Sequence, residues 1–311
     1  MLAIPETGMG RSVKAHNVRL DVLCDWLEAS ALFLKEPEVP DSEVVDTLVE
    51  EEIYESQQFA WERVADAWSE LSRRQDWIGQ ASPIEVQGHR LVRRQEWRQA
   101  PAHSFCLALT LARMYPEWAR QFGNDFTEQG ELFEKLTQRS VEALFPGWRV
   151  HPTAWTRTQA KKLHVVVQEI ANLLGESTGE IRRWTKPDAN EAGLDLLCYR
   201  PFPDGRVGVP VYMMQCASGR DWEGKLHTPR LKIWTKIVQF AADPVKAFAT
   251  PFAMTDDEFP GRCAEVNGLM LDRYRLLSSG RDNPDWVPVD LGQRIIAWLE
   301  PRVTSLPRYA D

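Results

Sequence analysis

Apolar residues recur at helical spacing in "RLDVLCDWLEASALFL" and again in "QQFAWERVADAWSELSRR", so residues 11–75 are predicted to be helical. Pro40-Asp41-Ser42 supplies a start for a second helix between them. In "PIEVQGHRLVRRQEW" the pattern shortens to that of a hairpin turning about Gln87-Gly88. A further helix is expected over about 102–122, followed by one that starts near Asn124 or Asp125. In that helix Phe126, Phe133, Leu136 and Leu144 mark the side expected to be buried, and Gly130 suggests a close backbone approach.

"GWRVHPTAW" reads as a strand and turn. The stretch "TRTQAKKLHVVVQEIANLLGE" then carries an amphipathic stripe of Leu163, Val166, Val167, Ile170, Leu173 and Leu174, closed by Gly175. Two strand patterns follow, "GLDLLCY" and "VPVYMMQCA". "DWEGKLHTPRLKIWTKIVQFA" is helical with a break near Pro229, "VKAFATPFAM" and "GLMLDRYRLLS" read as strands, and "DLGQRIIAWLEPRV" as a closing helix. From about 123 onward helices and strands alternate, which predicts an α/β fold: a mixed sheet flanked by helices after a helical N-terminal region. The expected domains are 1–122 and 123–311.

Composition changes this picture little. The chain has 311 residues and 43% hydrophobic side chains, enough for a real core, with 13 Trp spread from Trp26 to Trp298. No apolar run approaches the ~20 residues that span a bilayer, and the N-terminus lacks a signal-peptide pattern. Cys24, Cys106, Cys198, Cys216 and Cys263 form no CxxC pair, so reduced thiols and a cytoplasmic protein are expected. The net charge of −8 is unevenly spread. Residues 36–55 hold nine acids and no base, whereas 151–236 hold 13 Lys/Arg against 9 Asp/Glu. The second region can therefore meet phosphates, although each basic residue also suits a solvated helix face.

Asp195 and Gln215 stand out because each lies in an otherwise apolar strand. In an antiparallel hairpin, facing residues have a constant index sum. An odd loop centred on Gly205 pairs 195 with 215; a two-residue Asp204-Gly205 loop pairs 195 with 214. Pro203 and Gly208 favour the longer loop. Asp195 beside Gly193 also suits a turn cap, and Gln215 a solvated strand end. If the two converge, a carboxylate and an amide carbonyl can hold a hard divalent cation. Asp272-Arg273 reads as a structural ion pair. The six His do not cluster, and neither a Walker A sequence nor GxGxxG is present.

"GELFEKL" followed by "ALFPGWRV", then "GLDLLCY", then "VYMMQCASG" resembles the ordered motifs of the PD-(D/E)xK, restriction-endonuclease-like nuclease superfamily, in its Mrr-like QxK branch. The resemblance spans roughly 124–277. It implies Asp195 as principal metal ligand, Gln215 and the Cys216 carbonyl beside it, and Glu134 acting directly or through water. The motif lysine is replaced by Ala217. Lys225 is the candidate to position the nucleophile; it also suits a solvated pair with Asp221, and Lys232 is a less favoured substitute. Glu191 is a further candidate acid.

The resemblance implies hydrolysis of DNA phosphodiesters with Mg²⁺ (or Mn²⁺), in a bacterial defence or DNA-processing setting. Phosphate contacts would come from Lys161, Lys162, Arg182, Arg183, Arg220 and Lys232, with Arg157, Lys186, Arg230 and Lys236 nearby. A targeting partner protein is expected, with oligomer or partner contacts through the N-terminal region. A degenerate nuclease fold that only binds nucleic acid or a partner is the alternative, and Ala217 is the feature that favours it.

Overall fold

The computed structural model describes all residues except 10–17, 124–125, 154–161, 186–192 and 310–311. Helix α1 (Leu20–Phe33) leads through β1 (Glu38–Pro40) to α2 (Asp41–Glu50) and α3 (Gln57–Ile78). The predicted hairpin is β2 (Ile84–Gln87) and β3 (Arg90–Arg93), with Gln87 opposite Arg90 and Gly88 in the left-handed region. Next come α4 (Pro101–Met114) and α5 (Pro116–Arg120), where Pro116 splits the single helix expected over 102–122. The second half runs α6 (Phe126–Leu144), β4 (Arg149–Pro152), α7 (Leu163–Leu174), β5 (Ser177–Thr178), α8 (Ile181–Trp184), β6 (Leu196–Tyr199) and β7 (Val211–Cys216). It continues with α9 (Leu231–Ile237), β8 (Val238–Gln239), β9 (Val245–Ala249), α10 (Glu258–Val266), β10 (Gly268–Leu271), α11 (Arg273–Leu277) and α12 (Val289–Thr304).

The chain forms two compact units. The first comprises 1–125, 251–255 and 273–311; the second comprises 126–250 and 256–272. The boundary at 125 lies close to the expected 122, but the C-terminal segment departs from the expected span of 123–311. Residues 273–311 belong with the N-terminal helices: Trp118 Nε1 donates to the Arg302 carbonyl at 3.2 Å, and Arg98 pairs with Glu300. "GLMLDRYRLLS" accordingly changes from strand to helix at Arg273.

The second unit holds a five-stranded mixed sheet in the order β10-β9-β7-β6-β4. Strands β4, β6 and β7 are antiparallel neighbours, while β9 runs parallel to both β7 and β10. One face packs Leu197, Tyr199, Val211 and Met213 against Val166, Val167 and Ile170 of α7 and Trp234 of α9. The other face meets α6, whose Leu132, Phe133 and Leu136 are buried. Gly175 ends α7 in the left-handed region, as its position predicts. Two burial expectations fail: Phe126 is 65% exposed at the first position of α6, and Leu173 is 40% exposed at the edge of its stripe. Gly130 approaches no neighbour.

Candidate functional site

Leu196 pairs with Met214 and Leu197 with Met213, the register that sets Asp195 opposite Gln215. Strand β6 begins just after Asp195, whose backbone N–H still donates to the Met214 carbonyl at 2.9 Å. Both side chains are buried, at 8% and 6% exposure. A carboxylate so placed needs partners, and it has them: Asp195 Oδ2 accepts from the Cys216 backbone N–H at 2.6 Å and from Gln215 Nε2.

The Gln215 amide is shared. Nε2 also reaches the Cys216 carbonyl at 3.2 Å, while Oε1 lies 3.1 Å from Thr228 Oγ1. That hydroxyl is 2.6 Å from the Lys225 carbonyl as well. It has one proton for two acceptors, and the Lys225 carbonyl also accepts from the Thr228 N–H at 2.9 Å, so both amide orientations leave these groups satisfied. Turning the amide by half a turn exchanges its nitrogen and oxygen. Nε2 then donates to Thr228 Oγ1, whose proton serves the Lys225 carbonyl. Oε1 then stands beside Asp195 Oδ2 and the Cys216 carbonyl. Three oxygens facing one another repel unless a cation lies between them, and these oxygens are the donors a hard divalent ion prefers. With the amide so turned, the residues fit Mg²⁺ or Mn²⁺. Among the described residues, no group of three or more His, Cys, Asp or Glu side chains could hold a metal, so the fit depends on the amide and carbonyl oxygens.

Gly193 keeps Thr228 against this amide. Its φ is +67°, and a Cβ there would come within 2.8 Å of Thr228 Cβ and 3.3 Å of Gln215 Oε1. Glu134 is half-buried on α6. Burial pushes the Cys216 thiol pKa well up, and the charges of Asp195 and Glu134 push it further. Both carboxylates therefore act on one strand end.

Of the other expected residues, Lys225 is exposed at the end of a short 3-10 turn (Trp222–Lys225), held near Gln215 through its own carbonyl and Thr228. Lys162, Arg182, Arg183, Arg220 and Lys232 are all exposed. Lys161, Arg157, Lys186 and Glu191, like the helix start at Asn124 or Asp125, lie outside the described residues.

Three residues were missed by sequence reasoning. Thr228 sits in a polar loop and carries no motif signal. Lys246 of β9 pairs with Met213 in the parallel register, and so shares a sheet face with Gln215; it is buried, with Nζ 3.1 Å from the Leu226 carbonyl. Burial lowers its pKa. Trp184, next to two expected phosphate contacts, is 44% exposed, with the Arg183 guanidinium 5.4 Å and the Lys236 ammonium 5.7 Å from its ring.

Compared with models of protein families, with curated proteins and with solved structures, the chain matches none.

Proposed function

We propose that the second unit is a metal-dependent nuclease acting on DNA, with Asp195, Gln215 and the Cys216 carbonyl as the cation's protein ligands. The observation that carries this reading is the convergence of the buried Asp195 carboxylate, the Gln215 amide and the Cys216 carbonyl at one strand end, where the turned amide would place three oxygens together. The sheet order, with Asp195 just before β6, Gln215 on the neighbouring β7 and Glu134 on the preceding helix α6, supports the same reading. When bound, the divalent ion supplies water activation and charge stabilisation at a phosphodiester.

The chain's own residues have distinct tasks. The Cys216 N–H holds the Asp195 carboxylate in place, and Thr228 holds the other end of the Gln215 amide. Glu134 adds negative potential from α6 and can accept a proton from a nearby water. Lys225, free to swing from its tethered backbone, orients the attacking water. Lys162, Arg182, Arg183, Arg220 and Lys232 meet phosphates, and Trp184 offers an aromatic face beside two cations.

The test is cleavage of plasmid DNA and RNA in Mg²⁺ or Mn²⁺ by the intact protein and by Asp195→Asn. Metal-dependent cleavage that disappears in the variant supports the nuclease. Nucleic-acid binding without cleavage, unchanged by the variant and by metal, selects the binding-only alternative that Ala217 favours.

A further inference from the structure

Within the first unit a pocket of about 540 Å³ opens between residues 78–103 and 277–296, large enough for a small organic molecule. Its wall contains Arg98, Arg281 and His103 but no aspartate or glutamate, in a chain of net charge −8. Arg98 is paired with Glu300. Arg281 reaches only the Asp76 carbonyl, at 3.3 Å, and has no carboxylate partner among the described residues. His103 is 4% exposed; its Nε2 lies 3.6 Å from Glu28 Oε2, and its Nδ1 has no hydrogen-bond partner. Trp286, Leu277 and Ile296 supply the apolar part of the wall.

Two long helices begin in this wall, α4 at Pro101 and α12 at Val289. The residues before them, Ala100 and Pro288, give no side-chain cap. The N–H groups of Ala102 and His103, and of Val289 to Leu291, precede the first intrahelical donors and carry the helices' partial positive charge. Arginine without a carboxylate and two uncapped helix starts favour negative charge, and the unpartnered buried imidazole nitrogen is a further donor wherever it carries a proton.

We propose that this pocket binds a small organic anion: a phosphate or carboxylate head at Arg281 and the two helix starts, and an apolar or aromatic body against Trp286. The exposed Asp290, in the first turn of α12, is the acid that such a head would meet.

Isothermal titration of the full chain with phenyl phosphate tests this directly, with inorganic phosphate and benzyl alcohol as the two half-probes. Saturable one-to-one binding of phenyl phosphate is expected, with both half-probes weaker. Arg281→Ala weakens binding by about tenfold, the loss of one charge-assisted contact. Asp290→Asn tightens it by roughly twofold or more. Absence of saturable binding at millimolar phenyl phosphate overturns the proposal, as does equal affinity in the intact protein and Arg281→Ala. Equal affinity for inorganic phosphate overturns the apolar half. If Arg281→Ala lowers the ligand-free melting temperature, the exposed Asp290→Asn substitution decides: unchanged or weakened binding there rejects the pocket as an anion site.

Discussion

The backbone N–H of Cys216 donates to Asp195 Oδ2 at 2.6 Å, tying the end of one strand to the acid that precedes its neighbour. Asp195→Asn keeps an acceptor for that N–H but removes the charge, so the fold survives. Cation affinity is lost, and cleavage falls by about 10²–10³-fold or more. Asp195→Ala additionally leaves the N–H buried without an acceptor, costing about 1–3 kcal/mol. Urea denaturation of both variants beside a cleavage assay separates the two effects. Equal cleavage by the Asp195→Asn variant and the native protein rules out Asp195 as the metal ligand.

Thr228 is predicted to act on the cation only through Gln215. Thr228→Val removes the hydroxyl that accepts from the turned amide, and cation affinity drops by about 10–100-fold, as for other groups that orient a ligand. Manganese titration followed by calorimetry measures this without any cleavage assay. Gly193→Ala has a different signature. The left-handed φ alone costs about 1–2 kcal/mol, and the added methyl displaces Thr228, so the melting temperature and cation affinity fall together.

Two lysines compete for the role of the missing motif residue, and their surroundings predict opposite behaviour. Lys225→Ala, at an exposed position, should slow cleavage by about 10²-fold with stability unchanged. Lys246 is buried, and burial lowers its pKa. Its unfolded form therefore binds more protons at alkaline pH, and stability rises with pH between the lowered folded value and the unfolded value of about 10.4. Lys246→Met abolishes that rise, which urea midpoints from pH 8 to 11 would reveal. A kinetic defect confined to Lys246→Met transfers the role of Lys225 to Lys246.

Much of the second unit was legible because its signals are local. The α7 stripe repeats within one helix, and of the two registers the hairpin allowed, the one that Pro203 and Gly208 favoured is the one observed. The first unit's closure was not legible. Arg273 was expected to pair with its neighbour Asp272; instead its guanidinium binds Asp25 at 2.8 and 3.0 Å, across 248 positions. A buried ion pair gives no periodic signal, so nothing near Arg273 showed that residues 273–311 belong with α1. Phe126 failed for a simpler reason: it is the first residue of its helix, where the apolar face has no neighbouring turn to complete it. Thr228 reaches Gln215 from a loop, and Lys246 shares its sheet face from a neighbouring strand, placements that only tertiary structure creates.

The exposed ring of Trp184 tests the nucleic-acid reading independently of metal chemistry. Stacking on an aromatic face is worth about 1–3 kcal/mol per base. Trp184→Ala should therefore weaken binding of a single-stranded oligonucleotide by tenfold or so, with Trp184→Phe retaining most of it. Fluorescence anisotropy in EDTA removes cleavage from the measurement. Arg183→Ala should lower the salt dependence of binding by about one phosphate contact. Identical titration curves for Trp184→Ala and native protein would remove this residue from the interface.

Acid sensitivity should reside in the first unit. Arg74 Nη1 donates to Asp25 Oδ1 at 2.8 Å and to Glu28 at 3.3 Å, its Nε donates to Glu70 at 3.0 Å, and the Tyr274 hydroxyl donates to Glu28 at 2.6 Å. Burial alone raises the Glu28 pKa, but His103, Arg74 and Arg273 outweigh it and hold the carboxyl well below its usual range. A depressed carboxyl contributes stability that is full above its unfolded pKa, about 4.3, and is lost as pH falls toward the folded value. Urea midpoints should therefore decline below about pH 5, and Glu28→Gln, less stable at neutral pH, should decline less steeply. Asp25→Ala leaves two guanidinium groups buried without their shared acid and should cost about 3–5 kcal/mol. A Glu28→Gln profile parallel to that of the native protein would place the acid transition elsewhere.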